Sequence, residues 1–226
     1  MIVLTAEIEI KGENASPFVL DESQLGYSTF GTSVDTTFVV DKRNILSLES
    51  EIRDRADVDK PSFGVISSGG RLTVKDHNKI LLDYATIGML TEGVAIRVFL
   101  NNTVTKHSKQ IGIYYIDDVH YDNDNRSVSV SYNDGLEDLQ NITVLPDPIV
   151  KSQSMRQILV NVLSNHLPLG SIFEITEIAD ERLSKTVCQY PYFDTERSLW
   201  YYISQVCTIC GLFAYKNDQG VLVFSA

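Results

Sequence analysis

The chain has 226 residues, of which 43% are hydrophobic and 22% charged, with 30 acidic residues against 19 basic and a formal net charge of −11. That is ordinary globular composition, with ample apolar surface for a core and no disorder signature. The acidic excess repels phosphate and so excludes sequence-independent nucleic-acid binding; its plainest role is solubility.

Residues 1–10, MIVLTAEIEI, start apolar but carry Glu7 and Glu9 and lack a basic flank, so no signal peptide is expected. No run approaches the ~18 uninterrupted apolar residues of a membrane-spanning helix. The expectation is synthesis in the cytosol and no membrane insertion. Three cysteines, Cys188, Cys207 and Cys210, do not describe a secreted disulfide scaffold.

In chain order, Ile2, Leu4, Ala6, Ile8 and Ile10 alternate with more polar partners, the period of a strand with one buried face. Short β-prone runs follow at Thr36–Val40, Ile45–Leu48, Phe63–Ser67, Leu72–Val74, Val94–Leu100, Ile111–Ile116 and Ser127–Tyr132. Gly31, Gly64, Gly69-Gly70, Asn101-Asn102 and Asp122–Asn125 punctuate them as turns. Ile80–Leu90 has mixed period and reads as a short helix or irregular turn, and Asn133-Asp134-Gly135 as a turn leading into one helical turn. Many short strands with such punctuation predict a mainly β barrel or sandwich-like domain over residues 1–147.

Leu145-Pro146-Asp147-Pro148 reads as a linker, because two prolines remove two backbone donors and extend the residues before them. A smaller α+β domain is predicted over 148–226. Ser154 caps a helix Met155–His166 with Met155, Ile158, Leu159, Val162 and Leu163 on one face. A strand is expected around Ser171–Ile178. A second helix, about Thr195 to Cys210, carries the stripe Leu199, Ile203, Val206, Cys207 and Cys210, with Gly211 just past its end. Leu212–Tyr215, a Lys216–Gly220 turn and Val221–Phe224 close the chain as a hairpin.

Candidate chemistry is sparse. Cys207-Thr208-Ile209-Cys210 has the spacing of a metal or thiol-exchange pair, but zinc needs about four ligands and no histidine lies near Cys188. The pair also falls at the C-terminal end of its helix, where the dipole disfavours thiolate, and continues the apolar stripe, so core packing is the expectation. Tyr121-Asp122-Asn123-Asp124-Asn125-Arg126 resembles the start of a calcium loop, yet Ser127 stands where glycine is required and Asn133 where glutamate should be. A hairpin turn held by Asx hydrogen bonds fits better. His77, His107, His120 and His166 are scattered, and Asp117 and Asp118, adjacent on a strand, point to opposite faces. Glu49 and Glu51 share a face, as charges on any solvated edge do. Gly69-Gly70 has no following helix to hold phosphate. The remaining feature is aromatic. Trp200, Tyr201 and Tyr202 are consecutive on a helix, so some ring is exposed as an interface or ligand-facing surface, with Tyr190, Tyr192 and Phe193 upstream. The bland alternative buries Trp200 against the hairpin and leaves the tyrosine hydroxyls in water.

Residues 45–226 resemble bacteriophage tail hub and baseplate proteins. The carriers are Pro61–Asp76 (PSFGVISSGGRLTVKD), Asn101-Asn102-Thr103, Gln110–Tyr115 (QIGIYY), Tyr121–Val130 (YDNDNRSVSV) and Asn133–Leu139 (NDGLEDL). In the second part they are the helix from Met155, then SLWYYISQVCTICG from Ser198 running into LFAYKNDQGVLVF. The resemblance implies a ring-forming, often trimeric, structural protein without a cofactor, joining other tail proteins at the tip of the virion tail. Tail hubs often continue into further domains, so the resemblance admits either a short hub or a piece of a longer one whose wall-degrading or receptor-binding parts lie elsewhere, and an acidic surface would suit a tube through which DNA slides. The expectation is therefore a non-enzymatic tail hub or baseplate subunit. The competing readings are a module binding host-surface carbohydrate through Trp200 and the tyrosines, and a cysteine- or metal-dependent activity at Cys207 and Cys210.

Overall fold

The computed structural model describes residues 2–14, 32–40, 44–54, 63–86, 90–145, 152–188 and 196–226. The described chain is mostly β with a few short helices. It divides into two compact units that are discontinuous in sequence: residues 1–49 with 70–132, and residues 50–69 with 133–226. The linear reading, with one cut at residue 147, contains no such exchange. Pro146, Asp147 and Pro148 of the expected linker lie outside the described residues, as do Gly31 and Ile87–Met89.

The first unit is a ladder of antiparallel strands. β1 (Ile2–Asn14) pairs on one side with β2 (Thr32–Val40), Ile8 opposite Phe38, and on the other with β5 (Ala95–Asn102), Ile8 opposite Ile96. β5 pairs in turn with β6 (His107–Asp122), with a register shift between Val98 and Phe99. β7 (Ser127–Asn133) follows β6 in the order, then β4 (Gly64–Lys75), with β3 (Ile45–Asp54) beside β4. Alternation supplies the core: Ala6, Ile8, Leu72, Val74, Ile96, Val98, Val128 and Val130 all point into one apolar cluster. The helix α1 (Ile80–Thr86) adds Leu81 to it, and buried Asp76 accepts from the Leu82 backbone N–H at 3.0 Å.

Two expectations fail here for one reason. Asn101-Asn102 is the end of β5, not a turn, and β6 runs 16 residues where six were expected. The turn is Thr103–Lys106, with Lys106 at φ 53° and Asn102 Oδ1 accepting from the backbone of Val104 and Thr105. Polar residues on the exposed side of a long hairpin look like turn residues to a linear reading.

Gly69-Gly70 is also not a turn. It sits inside β4, and Gly70 is there for space: a Cβ on it would stand 1.9 Å from the carbonyl oxygen of Glu49. The same oxygen accepts from the Tyr132 hydroxyl at 3.0 Å. Burial, with smaller contributions from Tyr114 and Glu49, pushes the Tyr132 phenol up to about 12, so it stays a donor.

In the second unit helices cover short strands. α2 (Met155–His166) begins at a capping box in which Ser154 Oγ accepts from Gln157 N while Gln157 Oε1 accepts from Ser154 N. α4 (Leu199–Cys210) is capped by Ser198 and begins at Leu199, four residues later than the expected start near Thr195, and ends at Gly211 with φ 66°. The left-handed cap needs glycine, and the Leu212 N–H closes onto Cys207 O. The expected strand Ser171–Ile178 is shorter, β10 (Phe173–Ile175), because Thr176 starts a further helix, α3 (Glu177–Lys185). Only Ala179 and Leu183 of α3 are buried, too thin a stripe to announce a helix.

The closing hairpin forms as expected from β13 (Phe213–Lys216) and β14 (Leu222–Ser225). β10 lies parallel to β14, and β13 lies parallel to the Gly64–Ile66 part of β4. Three two-stranded or single-turn pieces complete the unit. The 3-10 turn Glu137–Gln140 fulfils the expected helical turn; β8 (Thr143–Val144) pairs with β12 (Arg197–Ser198), and β9 (Gln153–Ser154) with β11 (Val187–Cys188). Met155, Leu159, Leu163, Leu183, Leu199, Ile203, Val206 and Phe224 share one core.

Candidate functional site

Consecutive residues on a helix are about 100° apart, so Trp200, Tyr201 and Tyr202 must diverge. Tyr202 is 2% exposed and belongs to the core; Trp200 is half-buried against that same core; Tyr201 is 43% exposed. Tyr201 meets Tyr202 edge to face, with ring centroids 5.7 Å apart. Its ring also lies under the Arg197 guanidinium, 5.5 Å from the centroid, a cation–π contact at the surface. Arg197 is opposite Val144 in the short β8–β12 pair, which brings exposed Leu145 next in the chain. The surface on offer is thus one tyrosine ring, one guanidinium and one leucine. Tyr190, Tyr192 and Phe193 lie outside the described residues.

The cysteine pair stands in the core. Cys207 is fully buried and Cys210 nearly so, one helical turn apart in the last turns of α4. Burial, reinforced by the neighbouring Cys210, pushes the Cys207 thiol up to about 12; burial also raises Cys210, against a hydrogen bond with Thr186. Both are held as thiols, which are poor nucleophiles and poor metal ligands. Of the side chain of Cys188 nothing is described.

Asp122 turns the β6–β7 connection. Its Oδ1 accepts from the backbone of Asp124 at 2.9 Å and Asn125 at 3.1 Å, and its Oδ2 from Asn125 Nδ2 at 2.7 Å. Those contacts, the Asn125 side chain first, lower its carboxyl below the usual range. Arg126 takes φ 49°. This is the Asx-held hairpin that the composition of the loop foretold.

His77, His107 and His120 are exposed and His166 is half-buried at the end of α2; His107 and His120 share β6 but stand thirteen residues apart near its two ends. Asp117 and Asp118 are both exposed on β6; Glu49 is exposed, and the side chain of Glu51 is not described. Among the described residues no group of three or more His, Cys, Asp or Glu side chains is arranged to hold a metal ion. No helix among them is long and apolar enough to cross a membrane.

Linear reading missed a buried polar clasp in the second unit. Asp134, 3% exposed, accepts at Oδ2 from Ser68 N at 2.6 Å and Ser68 Oγ at 3.1 Å, and at Oδ1 from Leu136 N at 3.0 Å. Its own N–H donates to Ser68 O at 2.9 Å. Asn133 Oδ1 accepts from Gly135 N, and Gly135 takes φ 73°. Burial raises the Asp134 carboxyl in spite of these donors and of nearby Lys216, whose own ammonium burial drives downward. The Asn133-Asp134-Gly135 turn was legible; its partner, 66 residues upstream, was not.

The sequence matches no family model and no curated protein. Among solved structures the chain is similar to a 43 kDa tail protein of prophage MuSo2 from Shewanella oneidensis. That match has 13% identity and a TM-score of 0.45, and covers 79% of this chain and 53% of that one. It is also similar to a tail protein from Neisseria meningitidis MC58, with 10% identity and a TM-score of 0.45, over 79% of this chain and 49% of that one. The chain spans about half the length of both.

Proposed function

We propose that the chain is a structural subunit of a phage or prophage tail, at the hub or baseplate, where it assembles as a ring and holds tail-tip components. One observation carries the reading. One block of the resemblance to tail hubs, a helix running into glycine, an apolar strand, a polar turn and a second strand, is present as α4, Gly211, β13, Asn217–Gly220 and β14. The groups with chemical potential are consistent with it, since Asp122 is engaged in a turn, Asp134 in a clasp and Cys207 in the core. On this reading the chain is non-enzymatic, needs no cofactor, and resides in the virion.

The test is mass in solution. Size-exclusion chromatography with light scattering is expected to give a trimer or larger ring that persists on dilution. A monomer at every concentration, or hydrolysis of a wall polymer by the purified chain, overturns the proposal.

A second reading, recognition of host-surface carbohydrate, is favoured by the exposed Tyr201 ring beside Arg197. It predicts glycan-array signals that Tyr201→Ala abolishes; a blank array from the intact protein removes it.

A further inference from the structure

β10 is the last strand of its ladder, and its hydrogen bonds reveal which way it faces. Ile172 O accepts from Leu222 N at 3.0 Å, and Thr176 N donates to Phe224 O at 3.0 Å. In a parallel pair both backbone groups of a residue point to the same side, and the side alternates along the strand. Ile172, Glu174 and Thr176 therefore turn toward β14, while the N–H and C=O groups of Phe173 and Ile175 turn away from it. Among the described residues no strand takes up that outer edge.

The surroundings are apolar and acidic. Leu169 is fully exposed in the turn before β10, Ile172 enters the strand and Ile178 follows it on α3, both more than half exposed. β10 carries no lysine or proline, and what guards its edge is its short length and the charge of Glu174, which a basic partner would neutralise. The negative charge is unbalanced as well. On α3, Asp180 pairs with Arg156 and Glu181 with Lys185, whereas exposed Glu174 and Glu177 have no ion pair among the described residues.

We infer that the outer edge of β10 receives an extended segment of a partner protein, added as a further strand, in which basic residues alternate with apolar ones. The Phe173 and Ile175 backbone groups supply its ladder, Leu169, Ile172 and Ile178 its apolar contacts, and Glu174 and Glu177 its charge complement. A second copy adding its own β10 is a poor occupant, since that edge is acidic too, with Glu174 meeting Glu174. The inference extends the tail reading by naming a partner class, but its test reads a single chain and is indifferent to ring formation.

The probe is a blocked heptapeptide of alternating lysine and valine, with its glutamate–valine counterpart as control, titrated against the full chain and followed by backbone amide exchange and NMR shifts. The lysine peptide is expected to protect the outward amides of Phe173 and Ile175. Glu174→Lys, an exposed change expected to leave the melting temperature within a degree or so, is expected to weaken that peptide about fivefold and to favour the glutamate peptide. Absence of protection with either peptide, equal binding of both, or an affinity unmoved by Glu174→Lys overturns the inference. So does protection of the same amides on raising the protein concentration alone, which would make the occupant a second copy.

Discussion

The two units solve the burial of apolar surface differently. In the first, one ladder of antiparallel strands does nearly everything, and its core residues are the inward members of alternating runs such as Leu72 and Val74 or Val128 and Val130. In the second, helices α2, α3 and α4 bring most of the core to strands only two to four residues long, apart from the Gly64–Gly69 part of β4. A ladder depends on register, because a slip of one residue turns every inward side chain outward. A helix cover depends on volume and on caps. Substitutions that attack register and close backbone approach should therefore wound the first unit most, and those that open cavities or uncap helices the second.

The sharpest way to break that contrast is Gly70→Val. Its side chain would begin 1.9 Å from Glu49 O, and the atom that must move is backbone, so the expected loss is about 3 kcal/mol or more. Denaturant unfolding gives the magnitude, and amide exchange should show Ala6, Ile8, Ile96 and Val130 exposed first. A neutral result would mean that β3 and β4 separate without cost.

Leu159→Ala should cost about 3 kcal/mol by leaving a cavity under α2, with exchange rising in Met155–His166 and Leu199–Cys210. If the first unit's amides lose protection equally, the two modes of burial are not energetically distinct.

The Asp134 clasp sharpens the contrast through pH. Burial raises its folded carboxyl above the ordinary 3.8, so on acidification the folded chain takes up a proton before the unfolded chain does. Stability from this group therefore increases as pH falls through the raised value and is fully gained below 3.8. Asp134→Asn has no such proton to gain. The stability of the native chain minus that of the variant should grow toward acid across that window, and a pH-independent difference would refute the assignment.

Smallest is Ser154→Ala, which removes one half of the capping box of α2 and should cost about 1 kcal/mol by thermal melting. Restoration by Ser154→Asp, another good cap, would separate capping from packing.

Much of the second unit was legible in the linear chain. Ser154, the Met155–Leu163 face, the Leu199–Cys210 stripe and Gly211 each act within a turn or two of their own position, and each is found in its expected role. The candidate surface was half legible. That the three aromatics diverge follows from helical geometry, but that Tyr201 is the exposed ring and Tyr202 the buried one depends on what α4 covers. Cys207 and Cys210 were recognised as core by the same stripe that hid nothing.

What the sequence determined by itself was local: caps, an Asx-held hairpin at Asp122, helix faces, and a strand period in β1 and β7. These are set by hydrogen bonds and dihedral preferences between residues a few positions apart. The tertiary structure alone decided the rest. It made Gly69-Gly70 the interior of a strand, with Glu49 O in the space that a side chain on Gly70 would need. It turned Asp134 into a clasp on Ser68, drew residues 50–69 into the second unit, and left β10 as an edge. Each depends on a partner on another strand or turn, 21 residues away for Glu49 and 66 for Ser68, or on none at all, and no local preference encodes where a distant chain segment will lie.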